Sequence, residues 1–499
     1  MKRIIYCMIL GALMLSVPSC SGDYLELYPT NAVDVGLVFT NTKNAMGALN
    51  GIHRLLYEKF DSEQASGGQG IVMHMLDLLG EDMPLPVRPN TLGGFMQWIN
   101  SGLETGVETR FVWQFYYRII ANANLLIGNI DGAEGLQSER DMIKGQALAY
   151  RAWAHFMLVQ VYGKRYEPQG NNDNLGVPIM TYESPEPKAR NTVEQVYTQI
   201  NADLDLAISL LANYNNRANK SHINQSVARG FKARVLLTQG QWEAAARMAD
   251  LAAEGYAFMT AAQQFEGYND YLNPEWMWSH KIIASQAITY SSFFGYMGCN
   301  HPGRATTESP RMINSALYSR IAATDVRKGK LWVPDAQSNP LASVITPTAS
   351  SLKRDYMQQK FRAEDGTING TGCVPCMRSA EMYLIAAEGY ARAGSSTLEL
   401  ARDRMYALMR TRNPSYVRST ASATQLIEDI LYARRIELWG EGFRWLDLKR
   451  LNLPLDRTGA NHIASVSSTM NVPAGDNRWQ WKIPRTVELD ANPFIEQNP

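Results

Sequence analysis

Cysteine is scarce in this chain, with five residues in 499, at positions 7, 20, 299, 373 and 376. Two of them fall within the first twenty residues, so three are left for a folded body. That is too few for a disulfide framework. An excess of either charge is missing too, with 48 Lys+Arg against 48 Asp+Glu. A protein that tracks a phosphate backbone needs a basic surplus, so nucleic acid is excluded as a partner class. No block of like charge stands out as an interaction tail. Beyond the N-terminus no run of about 18 uncharged apolar residues recurs, which leaves no candidate for a membrane-spanning helix. The seven His show neither His-x-x-x-His nor His-Glu-x-x-His spacing, so no metal and no cofactor is expected. Gly67-Gly68-Gln69-Gly70 lacks the Lys-Ser/Thr of a phosphate loop and reads as a flexible loop, and no Gly-x-Ser-x-Gly elbow occurs. Aromatic residues, by contrast, are plentiful. The 24 Tyr and 11 Trp exceed what a core strictly needs, and both types suit wet binding surfaces.

Lys2 and Arg3 precede an apolar run from Ile4 to Val17, a charged region and an apolar region of signal-peptide length. In Val17-Pro18-Ser19-Cys20 a branched apolar residue stands three places before Cys, with a small residue just before it. This has the form of a bacterial lipobox, although Pro18 is an unusual occupant. On that reading residues 1–19 are a lipoprotein signal peptide and Cys20 is the lipidated N-terminus. Residues 20–499 then form a single domain, anchored to a membrane without crossing it. The plain alternative is an ordinary secretory peptide with an incidental Cys.

Most of the body reads as amphipathic helices joined by long polar loops. From Thr192, the residues Val193, Val196, Tyr197, Ile200, Leu204, Ala207, Ile208 and Leu211 share one face, with Thr192 and Gln195 as a capping box. Ser138 and Asp141 open a helix that ends at Tyr162-Gly163, and Ser422 and Gln425 open another through Leu438. Ala233, Leu236, Gly240, Trp242, Ala245 and Ala252 fall at the offsets of a tetratricopeptide helix–turn–helix unit. A looser copy follows at Ala387, Tyr390 and Gly394, with its second helix from Leu398. Short extended pieces are expected at Trp276–Ile283 and Met357–Phe361. The expected fold is mostly α: tetratricopeptide-like helix pairs form a scaffold with long loop insertions and a few short strands. Its N-terminal half covers about 20–255 and its C-terminal half about 270–499. The insertions are 64–70, 85–106, 167–191, 260–274, 289–310 and 332–373, and connections of such length are usually functional or disordered.

Six stretches then point to one family. They are Asp23-Tyr24-Leu25-Glu26 with Pro29-Thr30, Trp113–Asn124, Ala147–Gly163, Arg378–Ala393, Arg434–Arg450, and Ile483-Pro484 through Asn492-Pro493. With these in order, the chain resembles the SusD/RagB family of bacterial surface nutrient-binding lipoproteins from end to end. The resemblance implies a cell-surface, outer-membrane protein that binds an oligo- or polysaccharide. It also implies a partner, a SusC-type TonB-dependent transporter to which the glycan is delivered, and no catalytic activity. A different reading of the same helix pairs is a surface scaffold that binds protein or peptide partners and no glycan.

Glu437, Glu441 and Asp447 are spaced at i,i+3 from Arg434, Arg444 and Arg450. Paired carboxylates could serve a glycosidase, but this spacing is that of a helix-surface ion ladder, and a structural role is expected. Cys373-Val374-Pro375-Cys376 has redox-motif spacing, yet its flanks read as Gly-rich loop into helix, so a local disulfide or two free thiols is expected. Asn171-Asn172-Asp173-Asn174 offers oxygen ligands for Ca²⁺ but reads as a solvated loop. Trp113 and Trp153 lie on helical stripes and read as core, and Trp276 and Trp278 read as packed. Ligand contacts are therefore sought among aromatics outside the stripes, where rings can meet sugar C–H faces and amides or guanidinium groups meet hydroxyls. Trp98 with Asn100 is one candidate set. Tyr290, Phe293, Phe294 and Tyr296 with Asn300, His301 and Arg304 is the other. In proteins of this resemblance the ligand surface comes from these two regions; packing under a loop is the competing reading for each residue.

Overall fold

The computed structural model describes residues 38–60, 65–184, 186–214, 216–286, 290–300, 302–335, 353–364 and 369–499. Cys20, the signal peptide, the Asp23–Glu26 stretch and His301 lie outside the described residues. The main elements are α1 Thr42–Leu55, α2 Gln69–Leu79, α3 Val107–Asn129, α4 Gln137–Tyr162, α5 Val193–Leu210, α6 Gln225–Thr238, α7 Trp242–Ala253 and β1 Trp276–Ile282. After them come β2 Trp332–Val333, β3 Met357–Gln358, β4 Gly372–Arg378, α8 Ser379–Ala393, α9 Leu398–Arg412, α10 Ala423–Glu437, α11 Arg444–Arg450, β5 Leu455–Asp456 and β6 Asn471–Val472. The described residues are mostly α, with three two-stranded antiparallel sheets among them, β1–β4, β2–β3 and β5–β6.

From α3 to α9 each helix packs on the next, in an unbroken row. The expected tetratricopeptide pair is α6–α7 and its looser copy is α8–α9. Although 125 residues of chain separate the ends of α7 and α8, these two helices make the most extensive helix contact. Small residues explain it. A Cβ on Gly389 would stand 2.4 Å from the Trp242 carbonyl oxygen and 2.9 Å from Ala246 Cβ, so the helices cross closely only because Gly389 has none. The capping box forms as expected: Thr192 Oγ1 accepts from the Gln195 amide at 3.2 Å, and Gln195 Oε1 accepts from the Thr192 amide at 3.0 Å. The start of α4 differs from expectation. It begins at Gln137, because the Glu139 carboxylate accepts from the Leu136 amide at 3.3 Å and from Thr42 Oγ1 at 2.5 Å, tying the helix entry to α1.

Two segments that the sequence reading took for loops are a helix and a strand, and both are buried throughout. Gln69–Gly70, expected in a loop, begins α2, whose eleven residues are all buried. A helix buried all round has no polar stripe to betray its period. The Cys373–Cys376 segment, expected as loop into helix, is strand β4, equally buried along its length and paired with β1. Positions i and i+3 of a strand are roughly 10 Å apart, beyond the reach of a disulfide. Both thiols are free and buried.

The charged stretch Arg434–Arg450 is not one helix. Gly440 (φ 79°) and Gly442 (φ 82°) take left-handed conformations between α10 and α11. At Gly440 a Cβ would lie 2.5 Å from the Phe361 ring. Of the i,i+3 pairs expected there, Asp447–Arg450 forms, at 2.8 Å. The other charges turn inward. Arg378 on β4 binds Glu437 at 2.8 Å and Glu441 at 2.7 Å, and also pairs with Glu275. Arg412 bridges Glu275 at 2.8 Å and Glu437 at 2.9 Å, Arg327 bridges Asp325 and Glu437 at 2.7 Å each, and Lys360 reaches Glu441 at 2.7 Å. Four cations thus meet four carboxylates in the interior. The expected surface ladder is a buried, charge-balanced knot joining β4, α9, α10 and the 325–360 region.

Candidate functional site

Insertions far apart in sequence meet around Tyr290. Gly67 backs onto Ser291 so closely that a Cβ would sit 1.6 Å from its carbonyl oxygen, and a Cβ on Gly70 would meet Phe293 Cβ at 2.8 Å. Glycine is required at both. The 303–312 segment is tied to the 84–87 loop by Ser309 Oγ donating to the Val87 carbonyl at 2.7 Å and the Met312 amide donating to Pro84 at 3.4 Å. Arg304 is the hinge between surface and interior. Its guanidinium carbon lies 5.6 Å from the ring centroids of both Tyr290 and Tyr296, its Nε donates to the Tyr290 carbonyl at 3.3 Å, and it pairs with Glu308. Tyr290 is 46% exposed, held in place from one side by a cation and open to solvent on the other. Arg88 and Val87 are exposed beside this surface.

The remaining sequence candidates are placed differently, and four need correction. Trp98 is only 5% exposed; its indole N–H donates to the Leu79 carbonyl at 2.9 Å, and its ring meets Trp479 edge-on at 4.8 Å. Phe293, Phe294 and Tyr296 are buried, with Phe293 edge-on to Phe361 at 5.1 Å and Tyr296 against His74 at 5.3 Å. These four rings are core, not stacking platforms, because the Gly-rich insertions enclose an apolar filling of their own. Asn100 and Asn300 are half-buried. Asn100 donates to Glu108 at 3.0 Å, while Asn300 spends both ends of its amide on Ala363, at 2.9 and 2.7 Å. Of the described candidates, Tyr290 and Arg304 are brought together, and Tyr290 offers a large accessible face.

The carboxylates offer no acid–base pair. Burial alone would raise the Glu437 carboxyl, but Arg412, Arg378 and Arg327 hold it well below its usual range. Burial likewise opposes ionisation of Glu441, and Arg378 and Lys360 overcome it. Both act as fixed anions inside the buried knot. Burial pushes the Cys299 and Cys373 thiols up to about 12, which leaves them poor nucleophiles. Among the described residues no group of three His, Cys, Asp or Glu is placed to hold a metal ion.

A cavity of about 540 Å³ lies elsewhere, between α3, the 178–188 loop and the C-terminal segment. Trp113, Tyr117 and Phe60 line it, with Arg118 over the Phe60 ring at 5.3 Å and Lys188 over Tyr182 at 4.1 Å. The sequence reading passed over these residues because Trp113 and Tyr117 follow a helical spacing, which signals core first. A second cavity, of about 480 Å³, is framed by α1, the 218–221 turn and β1.

Comparisons with known proteins bear on what these surfaces do. Residues 96–237 match a family model described as starch-binding associating with outer membrane, and residues 319–499 match one described as SusD family. The chain is 24% identical over 488 residues to SusD-like protein P2 of Formosa agariphila, covering 90% of this chain and 91% of that one. A solved SusD-like carbohydrate binding protein from Bacteroides vulgatus is 27% identical, with a TM-score of 0.77 over 92% of this chain and 98% of that one. Surface glycan-binding protein A from Bacteroides thetaiotaomicron, solved in complex with laminarihexaose, shares the fold at 16% identity, with a TM-score of 0.69 over 92% of this chain and all of that one.

Proposed function

We propose that the chain is a member of the SusD family, which its residues 96–237 and 319–499 resemble, and that it binds an oligo- or polysaccharide at the outer-membrane surface and delivers it to a SusC-type TonB-dependent transporter. The observation that carries this reading is the match to a carbohydrate-binding SusD-like structure over 92% of this chain. The site geometry supports it. Tyr290 provides a flat, rigid, accessible ring on a surface assembled from several insertions, the arrangement by which loops on a stiff scaffold carry binding residues. In this reading the protein binds and does not cleave: Glu437 and Glu441 are consumed in buried ion pairs, and Glu308, near the Tyr290 ring, pairs with Arg304. A lipid on Cys20, at the lipobox-like Val17-Pro18-Ser19-Cys20, holds the protein at the surface in this reading; no helix among the described residues is long and apolar enough to cross a membrane. Calorimetric titration of the mature protein against a panel of neutral and acidic glycans tests binding. Co-purification with an outer-membrane transporter from detergent-solubilised membranes tests delivery. A silent panel overturns the glycan reading, and a protein that purifies alone overturns the transporter partnership.

A further inference from the structure

We propose that the cavity framed by α1, the 218–221 turn and β1 is a second saccharide site, built for one uncharged sugar residue and distinct from the Tyr290 surface. It deepens the glycan-binding reading, on which the choice of sugar rests. At about 480 Å³ the cavity falls within the roughly 300–1,000 Å³ typical of small-molecule sites. Exposed Asn50, Asn219 and Gln286 stand at its mouth and His53 at its base. His53 is 6% exposed, and its Nε2 has no hydrogen-bond partner among the described residues. That nitrogen is closed to solvent, so the groups open to a ligand are the amides at the mouth. Tyr57 forms one wall, its ring stacked on His280 at 6.0 Å and 25°. Asn219 Oδ1 already accepts from Ser221, at 3.0 Å from its amide, which leaves the exposed Asn219 amide N–H groups to donate outward. An aromatic wall rimmed by amides and hydroxyls is the chemistry that grips a pyranose.

Charge decides the class of sugar. The charged side chains lining the cavity are Arg54 and Lys281, and each has a carboxylate partner, Glu58 at 3.1 Å and Glu364 at 3.2 Å. His280 behind the wall is neutral at pH 7, since burial lowers it to about 3. A uronate would therefore find no free cation. The site also lies beside the first one. Gly67 backs onto Ser291, and Gly68 abuts the Leu56 carbonyl and the Tyr57 amide, so a single loop wall is shared by both surfaces.

Saturation-transfer NMR on the mature protein with D-glucose, D-galactose and D-mannose, and with D-glucuronate beside them, tests the assignment. At least one neutral hexose is expected to receive saturation, and glucuronate markedly less. Tyr57→Ala and Asn219→Ala should weaken it about tenfold, the effect of losing a ring contact or a hydrogen bond, while Glu243→Gln, in an exposed pair on α7, leaves it unchanged. Asn219 is exposed, so its variant reports even if Tyr57→Ala unfolds. Silence from all three hexoses overturns the proposal, as does equal transfer to glucuronate. Transfer lost in Tyr290→Ala yet kept in Asn219→Ala overturns it too, while leaving the Tyr290 surface intact. Hexose binding sensitive to Asn219, beside a silent polysaccharide panel, supports this site and removes the other reading.

Discussion

Glu441→Gln distinguishes a buried ion knot from a surface ion ladder. A partly exposed i,i+3 pair is worth about 0.3–0.5 kcal/mol, so a ladder would barely register its loss. In the structure Glu441 is 5% exposed and accepts from Arg378 Nε at 2.8 Å, Arg378 Nη2 at 2.7 Å and Lys360 Nζ at 2.7 Å. Gln has the same shape, but its amide NH₂ turns donors toward a guanidinium or an ammonium. The change also leaves one buried cation uncompensated. Breaking a buried pair in this way costs about 3–5 kcal/mol. With an unfolding entropy near 2.1 cal/mol/K per residue, a chain of this size loses roughly 1 °C per kcal/mol, so a fall of about 3–5 °C is expected. Scanning calorimetry measures it, with Glu243→Gln as control, because the Glu243–Arg247 pair is exposed on both sides. The double variant Glu441→Gln with Lys360→Met restores charge balance and should recover part of the loss. A melting temperature within 1 °C of the Glu243→Gln control would refute the reasoning.

Three further outcomes are expected. Tyr290→Ala should weaken glycan affinity by about 1–3 kcal/mol, taking base–aromatic stacking as the guide, with an unchanged melt; Trp98→Ala should do the reverse, lowering stability by about 3–5 kcal/mol as a buried ring is removed. Paired titrations and melts check both, and a Trp98 variant that loses affinity but not stability would restore Trp98 to the site. Acid should destabilise the protein from about pH 6.5 downward, because burial lowers His155 and His280 to about 3 and His222 and His462 to about 4. The unfolded chain takes up protons that these native imidazoles refuse, so each costs up to about 1.4 kcal/mol per pH unit below its unfolded value. Below about pH 4.3 the depressed Glu437, Glu441, Glu388 and Asp447 add to the loss, whereas Asp77, raised by burial, opposes it only above about pH 3.9, its unfolded value. A urea midpoint that stays flat between pH 6.5 and 4.5 contradicts this. Finally, Cys20→Ala should abolish fatty-acid labelling and release the protein from the membrane fraction; a wild-type protein that takes up no label removes the anchor.

Sequence periodicity was enough for the helical scaffold. A 3.6-residue stripe, a Thr192–Gln195 box, and the small residues at Ala233, Gly240 and Ala245 are local features, and local geometry follows from them whatever the rest of the chain does. The motif order from Trp113 to Pro493 was legible for the same reason, since it is written in the chain itself. Burial was not. Glu437 and Glu441 looked like surface partners of their neighbours because i,i+3 spacing is all a sequence can display; their true partners are Arg378 and Arg412, brought close by the β1–β4 pairing and the α8–α9 hairpin. Trp98, Phe293, Phe294 and Tyr296 lie outside any stripe, which marks a residue as irregular and not as exposed. Phe293, Phe294 and Tyr296 become core where the 65–70 and 290–300 segments close on each other, and Trp98 where it meets Leu79 and Trp479, while Tyr290 is left facing solvent. The 480 Å³ cavity, framed by residues from α1, the 218–221 turn and β1 some 230 positions apart, exists only once those three pack. Secondary structure follows from contacts within a few residues, whereas exposure and ion pairing depend on contacts between segments that only the folded chain places side by side.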